Sequence, residues 1–99
     1  MARNDNVTIP ATTWTQLTNA NALSIRVQQV SGTSMILALQ ATNGIVAPTT
    51  QLGVIVLPSG DVLAADLPIA QLWPGVTGAN RVWAFSSHAS VVSVSHADA

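Results

Sequence analysis

The chain has 99 residues and a formal net charge of -1, and only 7% of it is charged, against roughly a quarter in an ordinary soluble domain. The length allows one domain. The absence of cysteine excludes a disulfide framework, a thiolate zinc site and a cysteine nucleophile, and three arginines without a single lysine cannot build a surface for a phosphate backbone.

The polar start Met1–Asn6 lacks the apolar stretch of roughly 7–15 residues that an export signal needs, and it reads as a flexible arm. Val7-Thr8-Ile9 alternates as a strand does, and Pro10 stops it. Thr12–Leu17 is β-branched and aromatic, so a second strand is expected there, with Trp14 among threonines. In Leu23–Gln28 the period is two: Leu23, Ile25 and Val27 share one face, and Ser24, Arg26 and Gln28 the other. Ser31-Gly32-Thr33-Ser34 is expected to break the chain.

Met35–Ala41 is apolar on both faces, as a covered central strand is, and Asn43-Gly44 is a turn signal. Pro48–Gln51 reads as loop and Gly53–Leu57 as a further apolar strand. Its end at Pro58-Ser59-Gly60-Asp61 is a strong turn signal, with Val62-Leu63-Ala64 expected to return as its hairpin partner. The longest apolar runs, Met35–Leu39 and Val54–Leu57, fall far short of the ~20 residues of a membrane helix.

Asp66–Trp73 is the one helix candidate, with Asp66 as its cap, Pro68 in the first turn and Pro74-Gly75 as its end. Trp73 there either plugs the end of the fold or projects into a neighbour. Arg81–Ser86 puts Arg81, Trp83 and Phe85 on one face; Ser87-His88 is a turn, and Ala89–His96 is the last strand. Six to eight short strands with one short helical turn at about 66–73 predict an all-β fold. The expected form is a compact antiparallel β-sandwich or barrel, with one domain over residues 7–97 behind the arm 1–6.

No arrangement in the sequence makes a convincing chemical site, and the chain reads as a non-enzyme with no cofactor and no metal. Ser95, His96 and Asp98 are the residue types of a nucleophile system, but neighbours on a strand point to opposite faces. His88 and His96 lack spaced acidic partners for a metal. Asp61 and Asp66 read as a turn and a cap rather than a carboxylate pair. What remains is assembly. Ser, Thr, Asn and Gln supply 31 residues, so the surface is polar but almost uncharged. Such a surface is poorly defended against association and, without Lys and Glu, costs little side-chain entropy to immobilise. Candidate interface residues are the aromatic anchors Trp14 and Trp73, together with an arm using Arg3 and Asp5 as a charge pair and Val7 and Ile9 as an added strand.

An ordered series of short stretches carries a resemblance. It comprises Trp14-Thr15-Gln16-Leu17, Ala47-Pro48-Thr49, Leu57-Pro58-Ser59-Gly60, Ala65-Asp66-Leu67, Leu72-Trp73-Pro74-Gly75-Val76, Gly78-Ala79-Asn80-Arg81-Val82-Trp83-Ala84 and Val94-Ser95-His96-Ala97. Over about Val7 to Ala97 the series resembles small β-rich virion structural proteins of tailed bacteriophages and prophages, most like a capsid decoration (cement) protein. The resemblance implies binding to the major capsid protein on the outer shell, self-association as a homo-oligomer with a trimer favoured, and synthesis in the host bacterial cytoplasm. It supplies no binding residue, and the scarce basic residues and short apolar runs lead to the expectation of no nucleic-acid and no membrane partner. The rival roles are a phage tail or neck adaptor or fibre-attachment subunit, and a carbohydrate-binding module stacking sugars on Trp14 or Trp73.

Overall fold

The computed structural model describes residues 3–32, 36–45, 47–49, 53–58, 62–63, 68–87 and 89–97. The expected contributions of Met35, the Ser59–Asp61 turn, Asp66, His88 and Asp98 lie outside these residues. The described elements are β1 (Arg3–Ile9), β2 (Thr15–Gln16), β3 (Arg26–Gly32), β4 (Ile36–Thr42), β5 (Ile55–Pro58), β6 (Val62–Leu63), α1 (Ile69–Leu72), β7 (Arg81–Phe85) and β8 (Ser90–His96).

The strands form two four-stranded antiparallel sheets, ordered β1-β8-β3-β6 and β2-β7-β4-β5. The fold is thus an all-β sandwich and not a closed barrel. Its core lies between the sheets, where alternate residues turn inward. Val92 and Val94 of β8 meet Val27 and Ile9 from the first sheet, and Leu37, Leu39, Val82 and Ala84 face them from the second. All eight are buried. The chain changes sheet at almost every step; β4 and β5 are the one consecutive pair within a sheet among the described elements.

Several local expectations are corrected. Arg3–Asn6 are not a free arm: they extend β1 and pair with β8 in register, from Arg3 opposite His96 to Ile9 opposite Ser90. Backbone pairing to β8 holds this polar segment, so its lack of apolar residues does not release it. The second strand shortens to Thr15–Gln16 because Thr12, at φ 55°, cannot be extended.

Leu23 is 62% exposed although Ile25 and Val27 are buried. The chain has not yet joined the sheet at Leu23, and its carbonyl instead accepts the first amide of α1, from Ile69, at 2.7 Å. Ser31-Gly32 does not break β3, which absorbs the irregularity as a bulge between Gln29 and Ser31. Gly44 has the expected positive φ of 80°, but the connection from β4 to β5 is long rather than a two-residue hairpin.

Val62–Leu63 does not return along β5. It crosses to the other sheet and pairs with β3, Leu63 opposite Val27. The helix is also shorter than expected. Pro68, extended at ψ 150°, occupies the N-cap with no side-chain capping bond. It has no amide to give, so helical bonding begins after it.

Candidate interaction surfaces

Among the described residues, the outer face of each sheet and the edge of β1 are places where another molecule can meet the sandwich. On the outer face of the β2-β7-β4-β5 sheet the register aligns Gln16, Trp83 and Gln40 in one row, and Phe85 with Ala38 and Val56 in the next. Trp83 is only 7% exposed although it stands in this outward row. Its indole donates to Thr42 Oγ1 at 2.9 Å, and that hydroxyl donates onward to the Gly44 carbonyl at 2.9 Å. A buried indole with its N–H satisfied fixes the ring against the sheet.

Beside it, Trp14 and Phe85 are half-buried and stack at a tilt, ring centroids 5.3 Å apart. Val56 at the β5 edge is 50% exposed. One charge joins this face, Arg81, whose Nε donates to Asn21 Oδ1 at 2.9 Å. Gln16 is held by its Nε2 donating to the Thr18 carbonyl.

The outer face of the β1-β8-β3-β6 sheet carries rows of small polar groups. Asn4 aligns with Ser95 and Arg26, and Asn6 with Ser93, Gln28 and Val62. Arg26 is its one charge among the described residues. Among the described residues neither face gathers the acid, base and nucleophile that a reaction needs.

The third place is the edge. β1 ends its sheet, seven residues long. The Asn6 amide donates to Asp5 Oδ1 at 2.8 Å, so it faces away from β8. The two ends of a residue's backbone point to the same side of a strand, alternating along it. Asn4, Asn6 and Thr8 therefore face outward, while Arg3, Asp5, Val7 and Ile9 bond to β8.

The six residues expected at an interface thus separate. Arg3, Asp5 and Val7 stand on the edge strand, and Trp14 is half-exposed on an outer face. Ile9 is fully buried in the core, and Trp73 is 4% exposed, so neither offers a partner its side chain. Trp73 plugs one end of the sandwich, its indole donating to the Gly53 carbonyl at 2.9 Å. With Leu72, Pro74, Gly75 and Val76 it lines a shallow apolar cleft of about 470 Å³. Reading the sequence missed the apolar row of Phe85, Ala38 and Val56. Strand alternation in each segment was its only signal, and the cross-strand register that joins the three was not visible.

His96 is 6% exposed on the inner side of β8. Its Nε2 accepts the Asn19 amide at 3.4 Å, which leaves Nδ1 to carry the proton and donate to the Ala97 carbonyl at 3.1 Å. Both ring nitrogens thus face backbone groups, and Ser95 lies on the opposite face of the strand. Among the described residues no three His, Asp or Glu side chains come together as a metal site, and no helix is long and apolar enough to cross a membrane. No protein-family model matches the chain, and no curated protein and no solved structure matches it.

Proposed function

We propose that this chain is a structural subunit of a phage particle, a capsid decoration (cement) protein that binds the major capsid protein shell and stabilises the head. The observation that carries the reading is the outward surface. Each outer sheet face holds a single arginine among its described residues, Arg26 on one and Arg81 on the other, amid Ser, Asn, Gln, Thr and aromatic side chains. Such faces have little ionic hydration to lose when covered and few long flexible side chains to immobilise.

The resemblance in the ordered turn and strand-end motifs supplies the kind of assembly. Many copies bridging neighbouring shell subunits add modest contacts into a large resistance to rupture, and closed homo-oligomers, a trimer among them, suit such a lattice. Electron microscopy of particles tests the reading directly. Density for this protein repeated over the shell, and earlier heat or osmotic rupture of particles lacking it, are expected. Density confined to the tail or neck replaces the reading with a tail adaptor.

A second reading has its own observation. The half-buried Trp14–Phe85 pair, its rings tilted at 47° on an outer sheet face, offers aromatic surface on which a sugar can stack. Glycan-array binding abolished by Trp14→Ala, with the fold intact, favours a carbohydrate-binding module. Trp73→Ala cannot serve in that test, because Trp73 is internal.

A further inference from the structure

We infer that Asn43-Gly44 is a latent modification site, where the asparagine closes on the backbone as a succinimide and loses ammonia, and that Asn80 and the Thr77 carbonyl hold it shut. The inference goes beyond the assembly reading and does not rest on it.

The reaction begins when the amide nitrogen of the following residue, stripped of its proton, attacks the asparagine Cγ. The N–Cγ bond forms, the Cγ–Nδ2 bond breaks, and Nδ2 leaves as ammonia with the proton that the backbone nitrogen gave up. Water then opens the ring at one carbonyl or the other. The product is aspartate or isoaspartate, in which the backbone runs through the side chain. A side chain on the following residue obstructs the attack, so glycine there permits it best. The chain has six asparagines, Asn4, Asn6, Asn19, Asn21, Asn43 and Asn80, and Asn43 alone precedes a glycine. Asn43 is exposed, so water reaches it.

Both reacting groups are engaged in the folded chain. The Gly44 amide donates to Asn80 Oδ1 at 2.8 Å, and loss of its proton would leave an anion facing the lone pairs of that oxygen. Asn43 Nδ2 donates to the Thr77 carbonyl at 3.0 Å, which holds the carboxamide on the segment before β7. The frame around them is tied as well. The Asn80 amide donates to the Thr42 carbonyl at 3.0 Å. Thr42 Oγ1 donates to the Gly44 carbonyl and accepts the Trp83 indole N–H, each at 2.9 Å. The turn after β4 and the segment before β7 thus clasp each other, and the reaction needs the clasp open. It also destroys the clasp. Aspartate lacks the donor for the Thr77 carbonyl, and isoaspartate adds a methylene to the backbone ahead of Gly44.

The test follows the full chain during incubation at mildly alkaline pH. Cleavage after Arg26 and Arg81 releases a peptide that holds Asn43 and Asn80, and fragmentation in the mass spectrometer assigns the amide-to-acid mass gain to one of them. Folded parent chain is expected to lose the Asn43 amide about tenfold or more slowly than the same chain in denaturant, since hydrogen bonds must break first. Asn80→Ala frees the Gly44 amide and is expected to raise the rate in the folded chain about tenfold. Asn80→Asp keeps an accepting oxygen at that position and stays as slow as the parent.

Equal rates for folded and denatured parent overturn the inference, as does earlier change at another asparagine in the denatured chain. So does a folded Asn80→Ala chain no faster than the parent, or Asn80→Asp as fast as Asn80→Ala. Circular dichroism establishes that each variant is folded. Where Asn80→Ala is not, the parent comparison and Asn80→Asp decide.

Discussion

Thr12 stands in the left-handed region at φ 55°, where a β-branched side chain is strained. It is held there by its amide, which donates to the Ser86 carbonyl at 2.7 Å. Asparagine tolerates that conformation better. Thr12→Asn should therefore raise stability by about 0.5–1 kcal/mol, read as a melting temperature several degrees higher; an unchanged or lower value contradicts the strain. Gly78 and Gly44 make a matched pair. Both have positive φ, 69° and 80°. A Cβ on Gly78 would lie 2.8 Å from Asn43 Nδ2, whereas one on Gly44 meets nothing within 4 Å. Asn43 cannot move freely, since Nδ2 donates to the Thr77 carbonyl at 3.0 Å. Both alanine variants should lose about 1 kcal/mol to backbone strain, and Gly78→Ala about 1 kcal/mol more for the displaced bond. Equal losses in denaturant titration would show that the Asn43 contact has no weight.

The short helix shows how an element too small to stand alone is built into a fold. Four residues cannot nucleate in water, yet α1 is fixed at both ends. The Leu23 carbonyl takes its first amide, and Trp73 after it bonds back to Ile69 and out to Gly53. Removing the plug by Trp73→Ala should cost about 3–5 kcal/mol, seen as a collapse of the melting temperature. Trp73→Phe keeps most of the apolar burial and loses the bond to Gly53. It should cost less, about 1–3 kcal/mol; a Trp73→Ala chain as stable as the parent would mean that this end of the sandwich has no plug. The sequence makes the existence of this element legible through Pro68 and Pro74-Gly75, as period two makes β3, β7 and β8 legible. What it hides is partnership. The turn signal before them says that Val62 and Leu63 form a strand but not that they pair with β3 rather than β5. Nothing local says that the polar residues Arg3–Asn6 are a sheet edge, because their order comes from β8, nearly the whole chain away. The candidate site suffers in the same way: Trp14 and Phe85 stand out as aromatics in sequence, but their stacking depends on β2 lying beside β7.

At the scale of the molecule, the two ends of the chain form one sheet. β8 is central, paired over its length with β1 on one side and β3 on the other. Without it β1 has no described partner, and β3 keeps the two-residue β6. Val92 and Val94 are fully buried, and burial of each contributes roughly 1.5–3 kcal/mol. Together with both ladders, that approaches the ~5–15 kcal/mol by which a domain is stable at all. A chain ending at Ala89 should therefore show no cooperative thermal transition by circular dichroism. Because the order β1-β8-β3-β6 closes contacts between distant segments before local ones reward it, the intact chain should refold in milliseconds to seconds rather than microseconds. A peptide of residues 90–99 added to the truncated chain should restore the transition, since the slot between β1 and β3 is a strand-shaped acceptor. A truncated chain that melts cooperatively by itself would mean that the second sheet and its inner face hold the fold without β8, and that the edge at β1 is not anchored through it.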